Sequence, residues 1–291
     1  MMEWAGLLFI LLSVGCSLLL AHLLKLAEVK GDTVLNVLTV NYIIAFASAV
    51  AMNKADGLAL IPAFPAWFWA FCAFIGFIFI ANFFLLSRSI HENGVGVSIS
   101  AMRVSLLLPV LLSIAFYGEA LSFFKMMGIL LVFVAMGLFI AARRDVRLRG
   151  LGNSAYLLLL FLFSGTADAS LKIYEEEMSG IASEAHLMGA IFMFSFLFGV
   201  AAIFKTKSVY SFTPREAWLG LCIGVPNLLS SVFVIRAFAY YDASIVYSVV
   251  NMCVITGGAL IGWLYWKDDI SRLEAMGIFT AILAIGILTQ F

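Results

Sequence analysis

Long apolar stretches separated by short polar segments run along the whole chain. A stretch of about 20 apolar residues is what an α-helix needs to cross the roughly 30 Å hydrocarbon core of a bilayer. The pattern therefore predicts an all-α integral membrane protein with ten transmembrane helices. The predicted spans are residues 4–24, 35–52, 67–87, 95–117, 123–142, 154–174, 186–204, 217–239, 244–266 and 273–290.

The first five predicted helices resemble the last five in sequence. A shift of 147 to 149 positions superposes Ser17 on Ser164, Leu24 and Lys25 on Leu171 and Lys172, Arg88 on Arg236, Ser100 on Ser248, Arg103 on Asn251, Glu119 on Asp268, Ser122 on Ser271, Gly128 on Gly277 and Gly137 on Gly286. Because each copy has an odd number of helices, the second copy must enter the membrane from the opposite side, which is the inverted-repeat architecture of secondary transporters. We predict repeats at residues 1–142 and 153–291, joined by a basic linker at 143–152.

Composition agrees with a membrane protein and excludes several other classes. Apolar types make up 64% of the 291 residues and charged types only 12%, against roughly half and a quarter in soluble domains. The net charge is zero, so nothing indicates a nucleic-acid partner. The four cysteines lack the spacing of a zinc site or a disulfide framework, and no recognised catalytic signature is present. We therefore expect no enzyme activity, no metal and no cofactor.

One junction between predicted helices carries a family resemblance. Gly118, Glu119, Ala120 and Leu121 lead into a helix that contains Gly128 and Gly137, and Lys267, Asp268 and Asp269 precede Gly277 and Gly286 in the second copy. Together with the ten helices in two copies, this Gly-Glu turn resembles the EamA-like branch of the drug/metabolite transporter superfamily over essentially the whole chain. The resemblance implies a permease with cytoplasmic termini. It does not imply one substrate, because the superfamily spans amino-acid exporters, sugar-phosphate exchangers and nucleotide-sugar carriers.

The distribution of basic residues predicts the orientation. If alternate loops share a side of the membrane, twelve basic residues lie on one side and only Lys54 and Lys125 on the other, with Arg103, Lys172 and Arg236 left out as membrane-embedded or at span ends. The twelve are Lys25, Lys30, Arg88, Arg143, Arg144, Arg147, Arg149, Lys205, Lys207, Arg215, Lys267 and Arg272. The positive-inside rule then predicts a multi-pass protein of the cell (inner) membrane, with a cytoplasmic linker and both termini outside. This orientation is the reverse of what the resemblance implies.

Arg103 is the first candidate for function. It stands about nine residues, or roughly 13 Å, into the span 95–117, close to the middle of the bilayer. A charge at this depth is unfavourable unless it faces a partner, a cavity or a ligand. One interpretation is a structural ion pair or hydrogen bonds to backbone carbonyls. The other is an anchor for a substrate carboxylate or phosphate through the planar guanidinium.

A polar stripe on the ninth predicted helix contains Asn251, the position that the repeat matches to Arg103. Ser244, Tyr247, Ser248 and Asn251 follow i, i+3, i+4, i+7 spacing, and Ser100 lies one turn before Arg103. Such residues commonly bond neighbouring helices in membranes, but a stripe facing Arg103 favours the lining of a substrate cavity. Asn41, Asn82 and Asn227 are further candidates, for which interhelical hydrogen bonds are the simpler interpretation.

Asp168 is the acidic residue placed deepest in a predicted span, and Lys172 follows at i+4. A local ion pair between them is the simple interpretation. The alternative is that Asp168 carries a coupling proton or pairs with Arg103 when no substrate is bound.

Together these features predict a secondary transporter, an exporter or exchanger of a small anionic or zwitterionic metabolite such as an amino acid. It would work by alternating access around a midplane cavity. The alternatives are proton-coupled efflux of cationic drugs, which favours a central carboxylate, and a non-transporting scaffold or channel. The expected partners are the substrate, the lipid bilayer and protons, whereas the sequence does not indicate an oligomeric state.

Overall fold

The computed structural model describes residues 2–53, 64–93, 95–142, 154–265, 267 and 270–288, and these ranges are all-helical apart from their turns and connecting segments. Their α-helices are α1 Met2–Val29, α2 Val34–Met52, α3 Ala66–Asn93, α4 Val95–Val104, α5 Leu107–Ala115, α6 Phe123–Ala142, α7 Ser154–Glu177, α8 Glu184–Thr206, α9 Pro214–Phe238, α10 Ala243–Leu264 and α11 Arg272–Leu288. Within the described residues, eight helices are long and apolar enough to cross a membrane: α1, α2, α3, α6, α7, α8, α9 and α10. The chain is therefore an α-helical, multi-pass membrane protein.

The fourth predicted span, residues 95–117, is not one continuous helix. It is divided into α4 and α5 by a turn at Ser105 and Leu106. Pro109 accounts for the break, because it has no amide hydrogen to donate to the carbonyl of Ser105 four residues earlier. The Leu108 amide bonds that carbonyl instead, at 2.9 Å. Arg103 thus lies in the last turn of a short helix rather than inside a long one.

The hydrophobic core has two main parts. One is built by residues of α1, α5, α6, α9, α10 and α11 with Leu106 of the turn, and the other by residues of α2, α3, α7, α8 and α9. Helix α9 contributes to both parts and also packs along α1 and α2.

Helices α6 and α11 pack closely against each other in opposite directions. Gly128, near the start of α6, lies against Leu288 at the end of α11, and Gly277, near the start of α11, lies against Phe139 near the end of α6. A methyl group added at Gly128 would lie 2.6 Å from Leu288 Cγ, so the absence of a side chain allows this approach. A methyl group at Gly137 or Gly286 would meet no described atom within 4 Å, so those two glycines are not needed for this contact.

Helices α2 and α8 form a second antiparallel pair. Gly189 near the start of α8 faces Ala49 near the end of α2, while Gly199 near the end of α8 faces Thr39 near the start of α2. Both antiparallel pairs therefore join helices that occupy the same place in the two predicted repeats.

The helix ends fall into two faces, named here by their charge. The acidic face holds the described charged residues Glu119, Lys125, Lys172, Glu175, Glu176, Glu177, Glu184, Arg236 and Asp242. The basic face holds Lys25, Glu28, Lys30, Asp32, Arg88, Glu92, Lys205, Lys207, Arg215, Glu216, Lys267, Arg272 and Glu274. The predicted linker at 143–152 and Lys54 lie outside the described residues.

Candidate functional site

Arg103 and Asn251 contact each other inside the bundle. The Arg103 Nη1 atom donates a hydrogen bond to Asn251 Oδ1 on α10 at 3.5 Å, which is long for such a bond. Both residues are half-buried. The sequence repeat matches these two positions to each other, so equivalent points of the two predicted repeats meet in space.

The polar stripe on α10 faces the interior of the protein. Ser244, Tyr247 and Ser248 are buried, and Asn251 Nδ2 donates to the carbonyl of Tyr247 at 3.0 Å. The Ser248 side chain is fully buried, and its hydroxyl has no hydrogen-bond partner among the described residues. Ser100 lies within α4, but its side chain is outside the described part of the structure.

Asp168 lies on α7 beside the same group. The Tyr247 hydroxyl donates to the backbone carbonyl of Asp168 at 2.6 Å, and the guanidinium of Arg103 is close enough to interact electrostatically with the Asp168 carboxylate. Arg103, Asp168, Tyr247, Ser248 and Asn251 therefore form one cluster, which we name the midplane site.

Lys172 does not form the local ion pair with Asp168 that its spacing allows. Its ammonium group lies 2.7 Å from Glu175 and still closer to Glu176 on the same helix, and 3.7 Å from Glu119. One turn of helix separates the two residues, and Lys172 is held at the acidic face by these three carboxylates. In place of the Asp168–Lys172 pair, Lys172 has carboxylate partners at i+3 and i+4 on its own helix and a third, Glu119, that is distant in sequence.

The three intramembrane asparagines form contacts between helices. Asn227 Nδ2 donates to Asn41 Oδ1 at 3.0 Å, which links α9 to α2, and Asn82 Nδ2 donates to the Ser164 hydroxyl at 3.0 Å, which links α3 to α7. These bonds match the simpler interpretation of the three residues. The Nδ2 atom of Asn41 is buried without a partner in the described residues.

An ion network lies at the acidic end of the α10 stripe. The Glu119 carboxylate accepts hydrogen bonds from the backbone amides of Ala243 and Ser244 at 2.8 and 3.2 Å and from the Ser244 hydroxyl at 2.6 Å. A carboxylate is favourable here, because the first amides of a helix lack partners within the helix. Glu119 therefore caps α10 from the loop between α5 and α6.

Two lysines complete this network. Lys125 Nζ lies 2.7 Å from Asp242 and 3.4 Å from Glu119, and only 4% of its side chain is exposed. Lys172 reaches the other oxygen of Glu119. Neither Lys125 nor Asp242 was singled out by spacing in the sequence. Glu119 entered the sequence analysis in the Gly-Glu turn and in its match to Asp268, and neither feature indicated that it caps α10.

The Gly-Glu turn itself has a physical explanation. Gly118 has a φ of +68°, a left-handed conformation that glycine adopts without a steric penalty, and it directs Glu119 towards α10. The equivalent position of the second copy, Lys267, has a φ of +58°. The two positions that the predicted repeat matches therefore share a left-handed backbone conformation.

Comparisons with known proteins show the fold but not a family. No family model matches the chain. A Haemophilus influenzae protein (strain ATCC 51907 / DSM 11121 / KW20 / Rd), described only as uncharacterized, is 26% identical over 95% of both chains. A crystal structure of another protein superposes with a TM-score of 0.76 over 98% of this chain and 96% of that chain, at 14% sequence identity. At this identity, the likeness establishes a shared fold alone.

Proposed function

We propose that this chain is a secondary transporter of the EamA-like type. It exports or exchanges a small anionic or zwitterionic metabolite, such as an amino acid, by alternating access around the midplane site. The proposal places ten spans in two inverted repeats in the cell inner membrane and includes no enzyme activity. The residues proposed to contact substrate are Arg103, Ser100, Tyr247, Ser248, Asn251, Asn41, Asn82 and Asn227, and those proposed to couple transport are Asp168 and Lys172.

The pattern of helix contacts supports the inverted repeat. Matching the repeats pairs α1 with α7, α2 with α8, α3 with α9, the α4–α5 span with α10, and α6 with α11. If each helix is replaced by its match, every contact predicts a second one. The α1–α9 contact predicts α7–α3, the α2–α9 contact predicts α8–α3, and the α1–α10 contact predicts α7–α5, and all three predicted contacts are present. The α2–α8 and α6–α11 contacts map onto themselves, as expected of helices that pack across a two-fold axis.

Close contacts repeat at the level of single residues. Gly224 on α9 lies against the Asn41 carbonyl and the Ile44 side chain of α2, and Gly76 on α3 lies in the same way against Ile191 and Phe194 of α8. These contacts are related by shifts of 148 and 150 positions. Inverted repeats of this kind place their substrate sites near the membrane midplane, where the repeats meet.

A second pair of contacts repeats with its residues exchanged. Gly165 of α7 packs on Leu108 of α5, and Leu18 of α1 packs on Gly257 of α10. Gly165 and Leu18 are 147 positions apart, and Leu108 and Gly257 are 149 positions apart. The small and large residues thus change places while the contact is kept.

The observation that carries the proposal is the position of Arg103. The sequence puts it near mid-depth, where a charge costs at least about 2.5 kcal/mol even on lenient insertion scales. Its neighbours inside the bundle include the Asn251 amide, at 3.5 Å, and the Asp168 carboxylate, which lies within electrostatic range. A guanidinium placed beside a carboxylate and a buried unpaired hydroxyl is suited to bind a substrate with an anionic group.

The test is transport by the purified protein in proteoliposomes. A panel of amino acids, carboxylates, phosphate esters and lipophilic cations identifies what the protein carries. For that substrate we expect Arg103→Lys to raise KM about 10-fold and Arg103→Ala about 100-fold, because charge-assisted hydrogen bonds contribute about 1.5–3 kcal/mol each. Arg88→Lys is the matched control, since Arg88 is 60% exposed and pairs with Glu92 on its own helix.

Three results contradict the proposal. Unchanged KM in a folded Arg103→Ala protein assigns Arg103 a structural role. Flux of lipophilic cations alone favours the drug-efflux alternative. Ion conductance without saturable flux favours a channel.

A further inference from the structure

Four charged side chains join the two predicted repeats at the acidic face. We name them the ion clamp: Glu119, Lys125, Lys172 and Asp242. Glu119 and Lys125 belong to the first repeat, whereas Lys172 and Asp242 belong to the second. Every change in the relative position of the repeats at this face must therefore alter the clamp.

The clamp lies at the end of the midplane site nearest the acidic face. Ser244, which Glu119 holds, begins the stripe that continues through Tyr247 and Ser248 to Asn251. Lys172 lies one turn beyond Asp168 on α7. Substrate that moves between Arg103 and the acidic face along the α10 stripe must pass these side chains.

The clamp is able to separate without leaving a buried charge unpaired. Within the first repeat, Glu119 keeps Lys125 at 3.4 Å. Within the second repeat, Lys172 keeps Glu175 at 2.7 Å and Glu176 closer still, and the side chain of Asp242 is already 50% exposed. An isolated buried charge is strongly unfavourable, so these partners within each repeat make opening feasible.

The sequence does not repeat the clamp at the basic face. The repeat matches Glu119 to Asp268 and Lys172 to Lys25, but it matches Lys125 to Glu274 and Asp242 to Gly94. One lysine is thus replaced by an acid and one acid by glycine. The two faces must therefore be closed by different interactions.

We propose that the ion clamp is the gate of the acidic face and that it is closed in this structure. Glu119 holds the start of α10, and release of α10 from Glu119 opens the α10 stripe to solvent at that face. This inference rests on the proposed function, because the gate is proposed for a substrate that passes through the midplane site.

Thiol labelling tests the gate without a substrate. The four native cysteines, Cys16, Cys72, Cys222 and Cys253, are first replaced by alanine, which gives a cysteine-free background. Ser248→Cys is then introduced as the labelling site, because Ser248 is fully buried. We expect Glu119→Gln to speed the labelling of this cysteine by a membrane-impermeant reagent at the acidic face at least about tenfold. This is the change expected when one charge-assisted hydrogen bond is lost.

Glu216→Gln is the matched control. Glu216 is another buried carboxylate that accepts backbone amide hydrogens at helix starts, from Thr33 and Thr213, but it lies at the basic face. We expect no change in labelling at the acidic face from this variant. If Glu119→Gln and Glu216→Gln lower thermal stability by similar amounts and neither changes the labelling rate, the clamp has a structural role and the gate proposal is wrong.

A cross-link tests the gate even if Glu119→Gln does not fold. In a background that has only the four native cysteines replaced by alanine, Lys125→Cys and Asp242→Cys are joined by a short, reducible bifunctional thiol reagent, and Glu119 is left intact. Flux should stop on linking and return on reduction. Linking Glu184→Cys to Arg236→Cys, which lie within the second repeat at the same face, should leave flux intact. If flux continues in the cross-linked protein, the gate proposal is wrong. If the wild-type protein transports no substrate, the proposed function is wrong, but the labelling result is unaffected.

Discussion

Asp168 shows how the contacts of one residue narrow its possible roles. Its expected partner, Lys172, is held by Glu119, Glu175 and Glu176, whereas Arg103 on α4 lies within electrostatic range of its carboxylate. The Tyr247 hydroxyl donates a hydrogen bond to the backbone carbonyl of Asp168 and not to its carboxylate. A local structural pair with Lys172 is therefore excluded as its main role in this structure, and proton coupling remains a proposal.

Asp168→Asn tests proton coupling. Asparagine keeps the shape of the side chain but cannot take up or release a proton. One titrating group changes its minority form by about tenfold per pH unit. We expect the flux of the wild-type protein to change by about this factor per pH unit on one side of its pH optimum. The flux of Asp168→Asn should be nearly independent of external pH over a range of about 5.5 to 8. Glu177→Gln, an exposed position at the end of the same helix, should keep the wild-type profile. A wild-type profile in Asp168→Asn removes Asp168 from the coupling mechanism.

At the scale of the elements, the break between α4 and α5 positions Arg103. The prediction of one span at 95–117 came from its apolar length alone. Pro226 is also inside a helix, yet α9 runs without a break from Pro214 to Phe238. A proline within an apolar run therefore does not by itself predict where a helix ends.

Pro109→Ala should join the two helices. The new amide can donate to the Ser105 carbonyl, which adds about 1 kcal/mol of stability, so the melting temperature in detergent should rise. The continuous helix should also turn Arg103 away from Asn251 and raise KM about tenfold, the effect of losing one charge-assisted bond. Pro226→Ala should change KM much less. A lower melting temperature with an unchanged KM in Pro109→Ala would show that the break has another cause and does not position Arg103.

Helix number and helix partners were accessible from the sequence to different degrees. Apolar length predicted the eight helices α1, α2, α3, α6, α7, α8, α9 and α10. Most of the predicted helix ends lie within a few residues of the observed ends. The repeat also matched Arg103 to Asn251, which the structure brings into contact. The ion clamp was not predictable, because Glu119 and Lys125 are far in sequence from both Lys172 and Asp242, and only packing brings them together. Burial of ionic side chains depends on such partners, which hydropathy does not represent.

At the scale of the whole molecule, the two faces differ in charge in a way that bears on orientation. The structure adds Lys172 and Arg236 to the acidic face, but both are held by glutamates, Arg236 by Glu184 at 2.6 Å. The twelve basic residues counted from the sequence still outnumber those opposite. If the basic face is cytoplasmic, the ion clamp closes the outer face and the protein is closed to the outside in this structure.

Thiol labelling of intact cells decides the orientation. In the cysteine-free background, Gly180→Cys reports on the acidic face and Lys207→Cys on the basic face, and both positions are exposed. By the positive-inside rule, a membrane-impermeant reagent should label Gly180→Cys in intact cells and Lys207→Cys only after the membrane is made permeable. The opposite pattern would show that the family expectation of cytoplasmic termini is right and that the charge count is misleading. The clamp would then close the cytoplasmic face, so the same measurement fixes both the topology and the side to which the structure is closed.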